Sequence, residues 1–390
     1  MTLSKNNGIE NNSLFNRLLE LVYLEIDITK NVDENLLKET IDNILMSNEV
    51  FSEISVFEKI SLQKKAINRL NGLDILTELL ANEEITEIMV NGHNNVFIEK
   101  RGNLEKLDYG FESEERLFEV IQKIMSNTNR VVNETNPIVD TRLNDGSRVN
   151  IVLFPISLTG ATVTIRKFPN EVMSLDKLKE YGSINDEIAE FLDRLVKEKY
   201  NIFISGGTSS GKTSMLNALA KCIPKNERVI TIEDSAEIKL DSIENYVSLE
   251  VRSANMEGKN EISMRELIKT ALRMRPNRIL VGEVRGAETV EMLQAMNTGH
   301  SGSISTGHAN SAKDMISRLE TMVVMGVDIP LMAVRKQIQS AIDIIIHLGR
   351  DIYGNRRLIE ISAIDKESVE EIKLKRIYIY DSGIYKKCIE

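Results

Sequence analysis

The stretch from Asn201 to Thr213, NIFISGGTSSGKT, constrains this chain more than any other. Ile202, Phe203 and Ile204 form a short apolar run of β-formers, which suits a strand buried in a parallel sheet. Gly206, Gly207, Thr208, Ser209, Ser210, Gly211, Lys212 and Thr213 follow, then a helix-like segment to Cys222. This is G-x-x-x-x-G-K-[ST] between a strand and a helix, the context a phosphate-binding loop requires. Its glycines let backbone N–H groups come close to a polyphosphate and reach positive φ. The helix N-terminus adds unpaired donors and a positive dipole end. Lys212 would bridge the β- and γ-phosphates, and the Thr213 hydroxyl would sit on Mg2+. An accidental Gly/Ser-rich turn of this pattern should occur in roughly one in a hundred chains of this length. Pattern and context together therefore read as nucleotide binding.

A length of 390 residues suggests two or three domains. With 42% hydrophobic and 28% charged residues, the composition is that of a soluble globular protein. The formal charge of −10 disfavours a general binder of nucleic acid or anionic membrane. The two cysteines, Cys222 and Cys388, form no C-x-x-C pair, which excludes a four-cysteine zinc element and suits a reducing cytoplasm. No run reaches the roughly 18–20 apolar residues needed to span a bilayer, so membrane association is expected only through a partner. The polar start MTLSKNNGIENNS lacks the apolar core of a signal peptide and reads as a frayed leader.

Taken in order, residues 1–72 read as a helical N-terminal region, with three helices between residues 13 and 71. Residues 73–168 read as an α+β domain. It has strands around Ile85–Val90, Val96–Glu99, Leu104–Leu107, Ile138–Leu143, Arg148–Phe154 and Ala161–Phe168, and an amphipathic helix over Ser113–Asn127. Asn144-Asp145-Gly146-Ser147 signals a hairpin and hence an antiparallel sheet. Residues 169–184 look like a linker. From 185 to 390 strands alternate with helices, which predicts a mostly parallel sheet covered on both faces. The strands are expected at Ile202–Ser205, Val229–Glu233, Tyr246–Val251, Ile279–Gly282, Gly302–Ser305 and Ile342–Leu348. Arg357–Ile364 and Ile372–Tyr380 extend the sheet in antiparallel fashion.

Four further stretches bear on chemistry. Glu233 and Asp234 close a strand at the edge where ligands bind in a parallel sheet. They would hold the Mg2+ hydration shell or the attacking water, or form only a solvated acidic turn. Glu283 ends the apolar strand RILVG and would polarise water for in-line attack on the γ-phosphate. Thr298-Gly299-His300 and Thr306-Gly307-His308 flank the Gly302–Ser305 strand. Either they sense the γ-phosphate, His308 the better placed after the strand's C-terminal end, or both are packed or surface histidines. Arg142, Arg148 and Arg166 lie on strands of the preceding domain. Strand arginines commonly face solvent; the functional reading is that they supply cations to phosphate charge.

Together these motifs resemble the secretion and pilus-motor ATPase superfamily of type II and type IV secretion and type IV pili. The likeness is nearest to the tight-adherence (Flp) pilus ATPases, the CpaF-like branch. It runs over roughly residues 75–350, through DTRLNDGSRVN, TIRKF, GGTSSGKT, TIEDSAEIKL, ALRMRPNRILVGEVRG and TGHSGSISTGHANS. The resemblance implies an α/β, RecA-like P-loop motor domain (185–390), a hinge (169–184), a preceding α+β, PAS-like N-domain (73–168) and an N-terminal helical bundle. It implies Glu283 as the catalytic carboxylate, Glu233 and Asp234 as an acidic box, and His300 and His308 as a histidine box. Arg148 and Arg166, with Arg142 less closely matched, would reach the phosphates from the N-domain. It further implies ATP and Mg2+ as cofactors and a six-membered homo-oligomeric ring. That ring would sit on the cytoplasmic face of the inner membrane, bound to a platform protein, with no membrane insertion and no nucleic acid. Two departures stand out: the zinc-binding cysteine element of many type II secretion ATPases is absent, and Asn277 stands where the branch often has Asp.

The expected function is an ATP-hydrolysing motor for pilus assembly or secretion. Loss of the γ-phosphate would remove the anion that Arg148 and Arg166 grip and open the hinge. Two other classes remain: a nucleic-acid translocase on the same core, disfavoured by the acidic balance, and a nucleotide-gated scaffold that does not turn over.

Overall fold

The computed structural model describes residues 3–26, 33–100, 102–126, 128, 130–168, 173–252, 254, 259–368 and 371–388, with side chains from residue 13 onward. The chain divides into two compact units, Met1–Asn170 and Glu171–Glu390.

The first unit begins with three helices: α1 (Leu3–Glu25), α2 (Glu34–Ser47) and α3 (Val56–Leu70). Leu18, Val22, Leu37, Ile41, Phe51, Leu62 and Ala66 recur at helical spacing and close a small core. Asp33 caps α2, and Ser55 with Glu58 forms a reciprocal capping box on α3. Contrary to the frayed leader expected from its polarity, the segment is helical from Leu3.

After α4 (Ile75–Ala81) come β1 (Ile85–Asn91), β2 (Val96–Lys100), β3 (Asn103–Lys106), α5 (Glu114–Ser126), β4 (Ile138–Arg142), β5 (Arg148–Val152) and β6 (Thr162–Arg166). The strands form one antiparallel sheet in the order β3-β2-β1-β6-β5-β4. Alternate residues such as Val139, Val149, Ile151, Val163 and Ile165 pack with Leu117, Val120, Ile121 and Ile124 of α5, leaving the other face to water. Arg69 and Arg116 converge on Asp74 Oδ2 at 3.0 and 2.7 Å, fixing the start of α4 beneath α3.

The second unit adds α6 (Leu175–Glu180), α7 (Asp186–Lys197), β7 (Ile202–Gly206), α8 (Lys212–Ala220), β8 (Val229–Glu233), β9 (Tyr246–Glu250), α9 (Met264–Ala271), β10 (Arg278–Val281), α10 (Thr289–Asn297), β11 (Ile304–His308), α11 (Ala312–Gly326), α12 (Leu331–Ala341), β12 (Ile344–Arg350), β13 (Arg356–Ile364), β14 (Leu374–Asp381) and β15 (Ile384–Lys387). The nine strands run in the order β15-β14-β13-β12-β7-β11-β10-β8-β9. From β12 to β9 the pairing is parallel; β12 to β15 is the antiparallel extension. Ile202 and Ile204 pack with α7 and α8 on one face, and Phe203 with α10 and α11 on the other. Two buried faces explain why the β7 sequence is uniformly apolar rather than alternating.

Several elements differ from the sequence reading. Residues 169–172 of the expected linker lie outside the described residues. Its remainder carries α6, and Leu178 and Ile184 belong to the second unit's core. The strand expected at Gly302–Ser305 is instead β11, Ile304–His308, because residues 300–303 make a turn. Gly302 has φ +85, and a Cβ there would lie 2.5 Å from the buried Arg278 guanidinium. β15 was not anticipated. Its two-residue turn uses Ser382 and Gly383, both at positive φ, a hairpin signal of modest strength in sequence.

Candidate active site

The phosphate-loop sequence occupies the turn from β7 into α8. Gly206 is required by close approach: a Cβ would lie 2.5 Å from Ser210 Oγ and 2.6 Å from Leu348 O. Gly211 caps α8 in the left-handed region at φ +98. Gly207 and Thr208 line an open cleft of about 600 Å3 together with Arg285, His308, Asp314 and Arg318. Thr213 is the second residue of α8. Four residues on, Asn217 ties the helix to the acidic loop: its Nδ2 donates to Thr213 O and Glu237 O, and its Oδ1 accepts from Lys239 N.

Lys212 is 7% exposed and turned back on its own loop. Its Nζ donates to Gly206 O at 3.1 Å, Gly207 O at 2.9 Å and His308 Nδ1 at 3.3 Å. An ammonium can only donate, so Nδ1 of His308 accepts and the neutral ring carries its proton on Nε2. Burial pushes the His308 imidazole below its usual range. Glu283 opposes this, and the cations of Lys212, Arg285 and Arg318 reinforce it. The ring bridges two chemistries, because Nε2 stands 2.9 Å from Glu283 Oε1. That contact is close but off the hydrogen-bond line, and Oε1 is buried with no hydrogen bond.

Glu283 is held from both sides. Gly282 N donates to Ile232 O, Thr306 Oγ1 donates to Gly282 O at 2.7 Å, and Val284 N donates to Thr306 O. Its other oxygen, Oε2, accepts from Arg285 at 3.0 Å, and Arg285 also lies 3.5 Å from Asp234 Oδ2. Those carboxylates, Glu283 first, raise the Arg285 guanidinium above its usual range.

Glu233 stands 3% exposed on the same edge, but its carboxylate is committed to backbone. Oε1 accepts from Glu237 N at 2.9 Å and Ile238 N at 3.1 Å. It also packs beneath Gly282, where a Cβ would lie 2.9 Å from Glu233 Cγ. His300 and His308, both expected in a histidine box, lie at opposite ends of β11. His300 sits before β11, its Nδ1 3.2 Å from Ala295 O, in a turn held by Asn201 at the start of β7. The five residues of β7 set that edge roughly 16 Å from the phosphate loop.

Arg142, Arg148 and Arg166 stand in one cross-strand register of the first unit's sheet, with Arg142 Nη2 buried. Arg142 is the register partner of Arg148, and Arg148 of Arg166. Arg166 Nε also lies 4.0 Å from Glu87 Oε1 of β1.

Sequence reasoning passed over Arg285, Thr306, Asn217 and Arg318. Arg285 was signalled by standing two residues past Glu283, and Asn217 by its i+4 spacing from Thr213. Thr306 stood in the Thr306-Gly307-His308 motif without a role of its own, and Arg318 had no sequence signal, since only α11 brings it to the cleft.

The residues present fit a magnesium nucleotide. The loop offers glycine-cleared N–H groups, Lys212 an ammonium beside them, and Glu283 an unsatisfied buried oxygen. Among the described residues no group of three His, Cys, Asp or Glu side chains forms a protein-only metal site. Mg2+ held by a hydroxyl and phosphate oxygens needs none. No described helix is long and apolar enough to cross a membrane.

Residues 69–375 match the family described as type II/IV secretion system protein. A Mycobacterium tuberculosis protein named for conjugal transfer is 31% identical over 321 residues, 81% of this chain and 90% of that protein. The type IV secretion system protein PtlH of Bordetella pertussis is 33% identical over 303 residues, 71% of this chain and 89% of PtlH. The crystal structure of the pilus retraction motor PilT with bound ADP shares the fold. Its TM-score is 0.56 at 24% identity, covering 78% of this chain and 82% of PilT. The chain belongs to the type II/IV secretion system protein family and is an ATPase of secretion systems.

Proposed function

We propose that this ATPase motor binds ATP with Mg2+ on the 206–213 loop and hydrolyses it with Glu283 as the group that polarises the attacking water. The observation that carries this reading is the convergence of Lys212, His308 and Glu283 at one sheet edge, with Glu283 Oε1 buried and unsatisfied. Lys212 exchanges its loop carbonyls for phosphate oxygens, and loop N–H groups of residues 206–213 donate to the same anion. When bound, Mg2+ at Thr213 neutralises β- and γ-oxygen charge. Glu283 Oε1 accepts from water, and His308, released by Lys212, stays beside Glu283 and reports whether the phosphate end is filled. Asp234 acts through Arg285, which holds the Glu283 carboxylate in place. Glu233 is a positioning residue for the acidic loop.

The arginine row Arg142, Arg148 and Arg166 is proposed as an anion-binding row of the N-domain, the triphosphate being the anion the family resemblance leads one to expect. The motor is proposed to act as a six-membered homo-oligomeric ring on the cytoplasmic face of the inner membrane, working on a platform protein. Sizing the purified chain with a non-hydrolysable ATP analogue tests the ring.

The deciding experiment is phosphate release by the full chain and by Glu283→Gln. The variant should retain ATP binding and lose about 10²–10³-fold in turnover. Unchanged hydrolysis in the variant would remove Glu283 from the mechanism.

A further inference from the structure

The phosphate-loop strand β7 has different neighbours on its two sides. On one side β11 and β10 carry His308 and Glu283; on the other lie β12 and β13. With the terminal phosphate at Lys212, His308 and Glu283, the side of β7 away from those groups is the one formed by β12 and β13. What waits there is the hairpin joining those two strands.

β12 runs parallel to β7 with Leu348 opposite Gly206, so Gly349 and Arg350 extend past the end of β7, alongside the phosphate loop. The chain turns through residues 351–355 and returns at Arg356, whose Cδ stands 3.8 Å from where a Cβ on Gly211 would be. The tip thus projects from the same sheet edge as the phosphate loop. It presents Ile352 at 91% and Tyr353 at 82% exposure. Large apolar groups this exposed are not held out by a loose loop. Asp351, whose side chain is 6% exposed, accepts from Tyr353 N and Asn355 N at 2.9 Å each and from Arg357 Nε at 3.1 Å. Gly354 N donates to Asp351 O, and Arg350 donates to Gly354 O at 3.0 Å. Behind the tip, Arg357 also donates to Gly182 O and stacks 5.7 Å from the Tyr380 ring.

We propose that this hairpin is the nucleobase platform of the site, with the Tyr353 ring stacking on the base and Ile352 flanking it. The proposal rests on the nucleotide reading above and extends it to specificity. The N–H groups of Tyr353, Gly354 and Asn355 are all consumed inside the turn. They have nothing left to donate to a base edge. The platform therefore offers a π-face without a hydrogen-bond code, and it grips adenine and guanine alike.

Equilibrium binding of Mg2+ with ATP, GTP or inorganic triphosphate to the full chain and to Tyr353→Ala tests this. Exposure of the side chain makes a folding defect unexpected, and Tyr353→Phe serves as the conservative control. Tyr353→Ala should weaken ATP and GTP by a similar factor of about ten and leave triphosphate unchanged, while Tyr353→Phe keeps wild-type affinity. Equal ATP affinity in Tyr353→Ala and wild type overturns the platform and leaves the phosphate-loop reading standing. Altered oligomer size with ATP affinity intact also overturns it, and makes the tip a contact between copies. If the wild-type chain binds neither ATP nor triphosphate, the nucleotide reading falls and the platform with it.

Discussion

The tripeptide Thr-Gly-His occurs twice, at residues 298–300, before β11, and at residues 306–308, within it. The second copy ends β11 at the phosphate-loop edge, where His308 joins Lys212 to Glu283. The first lies at the opposite edge, after α10. There His300 approaches a helix carbonyl and Asn201 gathers the turn: Nδ2 donates to Met296 O and Ala341 O, and Oδ1 accepts from Gly302 N and Ser303 N. Identical local chemistry thus meets different partners. In a parallel sheet the strands' carboxyl ends gather the ligand site, and their amino ends gather structural bonds. The contrast is between an edge built for chemistry and one built for stability.

Matched substitutions at the two histidines give the largest expected difference. His308→Ala should lower ATP turnover about 10- to 100-fold, and His300→Ala less than about twofold, measured as phosphate release at saturating ATP. An equal loss from both would break the comparison and return His300 to a site, supplied by another copy of the chain. Asn201→Ala should show the opposite signature. It leaves the buried N–H groups of Gly302 and Ser303 without their acceptor, at a cost of about 2–3 kcal/mol in unfolding free energy. Turnover per folded molecule should stay near wild type. A loss of turnover with unchanged stability would mean that the amino-terminal edge takes part in catalysis.

Acid sharpens the same contrast more gently. Burial lowers the folded-state pKa of both His308 and His347; for His347, Glu360 and Asp314 partly oppose the effect. The unfolded chain then binds more protons than the folded one in the window below an ordinary histidine pKa, about 6.5. This contribution to stability is fully present above that pH and is lost as pH falls through the lower folded values. Melting midpoints should therefore drop on acidification below about pH 6.5. His347→Gln should flatten the drop, since Gln keeps a polar partner for Ser205 Oγ, which lies 2.8 Å from His347 Nδ1. A pH-independent midpoint from 7 to 5.5 would contradict the buried, neutral assignment.

The smallest effect concerns the arginine row. Arg148→Ala should change the stability of the chain without nucleotide by less than about 0.5 kcal/mol. Added inorganic triphosphate should raise the wild-type midpoint more than the variant's. Destabilisation by the substitution would show that the row is structural rather than an anion receiver.

The sequence determined most of what short-range chemistry can specify. Gly206, Gly211, Lys212 and Thr213 act through backbone geometry and adjacent N–H groups, so their pattern could be read directly. Apolar periodicity likewise announced β7, α5 and α7, because burial of one or two faces leaves a period in the chain. What it left open needed strand order and direction. Glu233 and Glu283 both end apolar strands. Only the packed loop shows the first accepting backbone N–H groups and the second keeping a buried oxygen unsatisfied. The placement of His300 and His308 at opposite ends of β11, the arrival of Arg285 and Arg318 at one cleft, and the alignment of three arginines across β4, β5 and β6 were likewise decided in three dimensions. Each depends on which residues far apart in the chain become neighbours, and no local pattern encodes that.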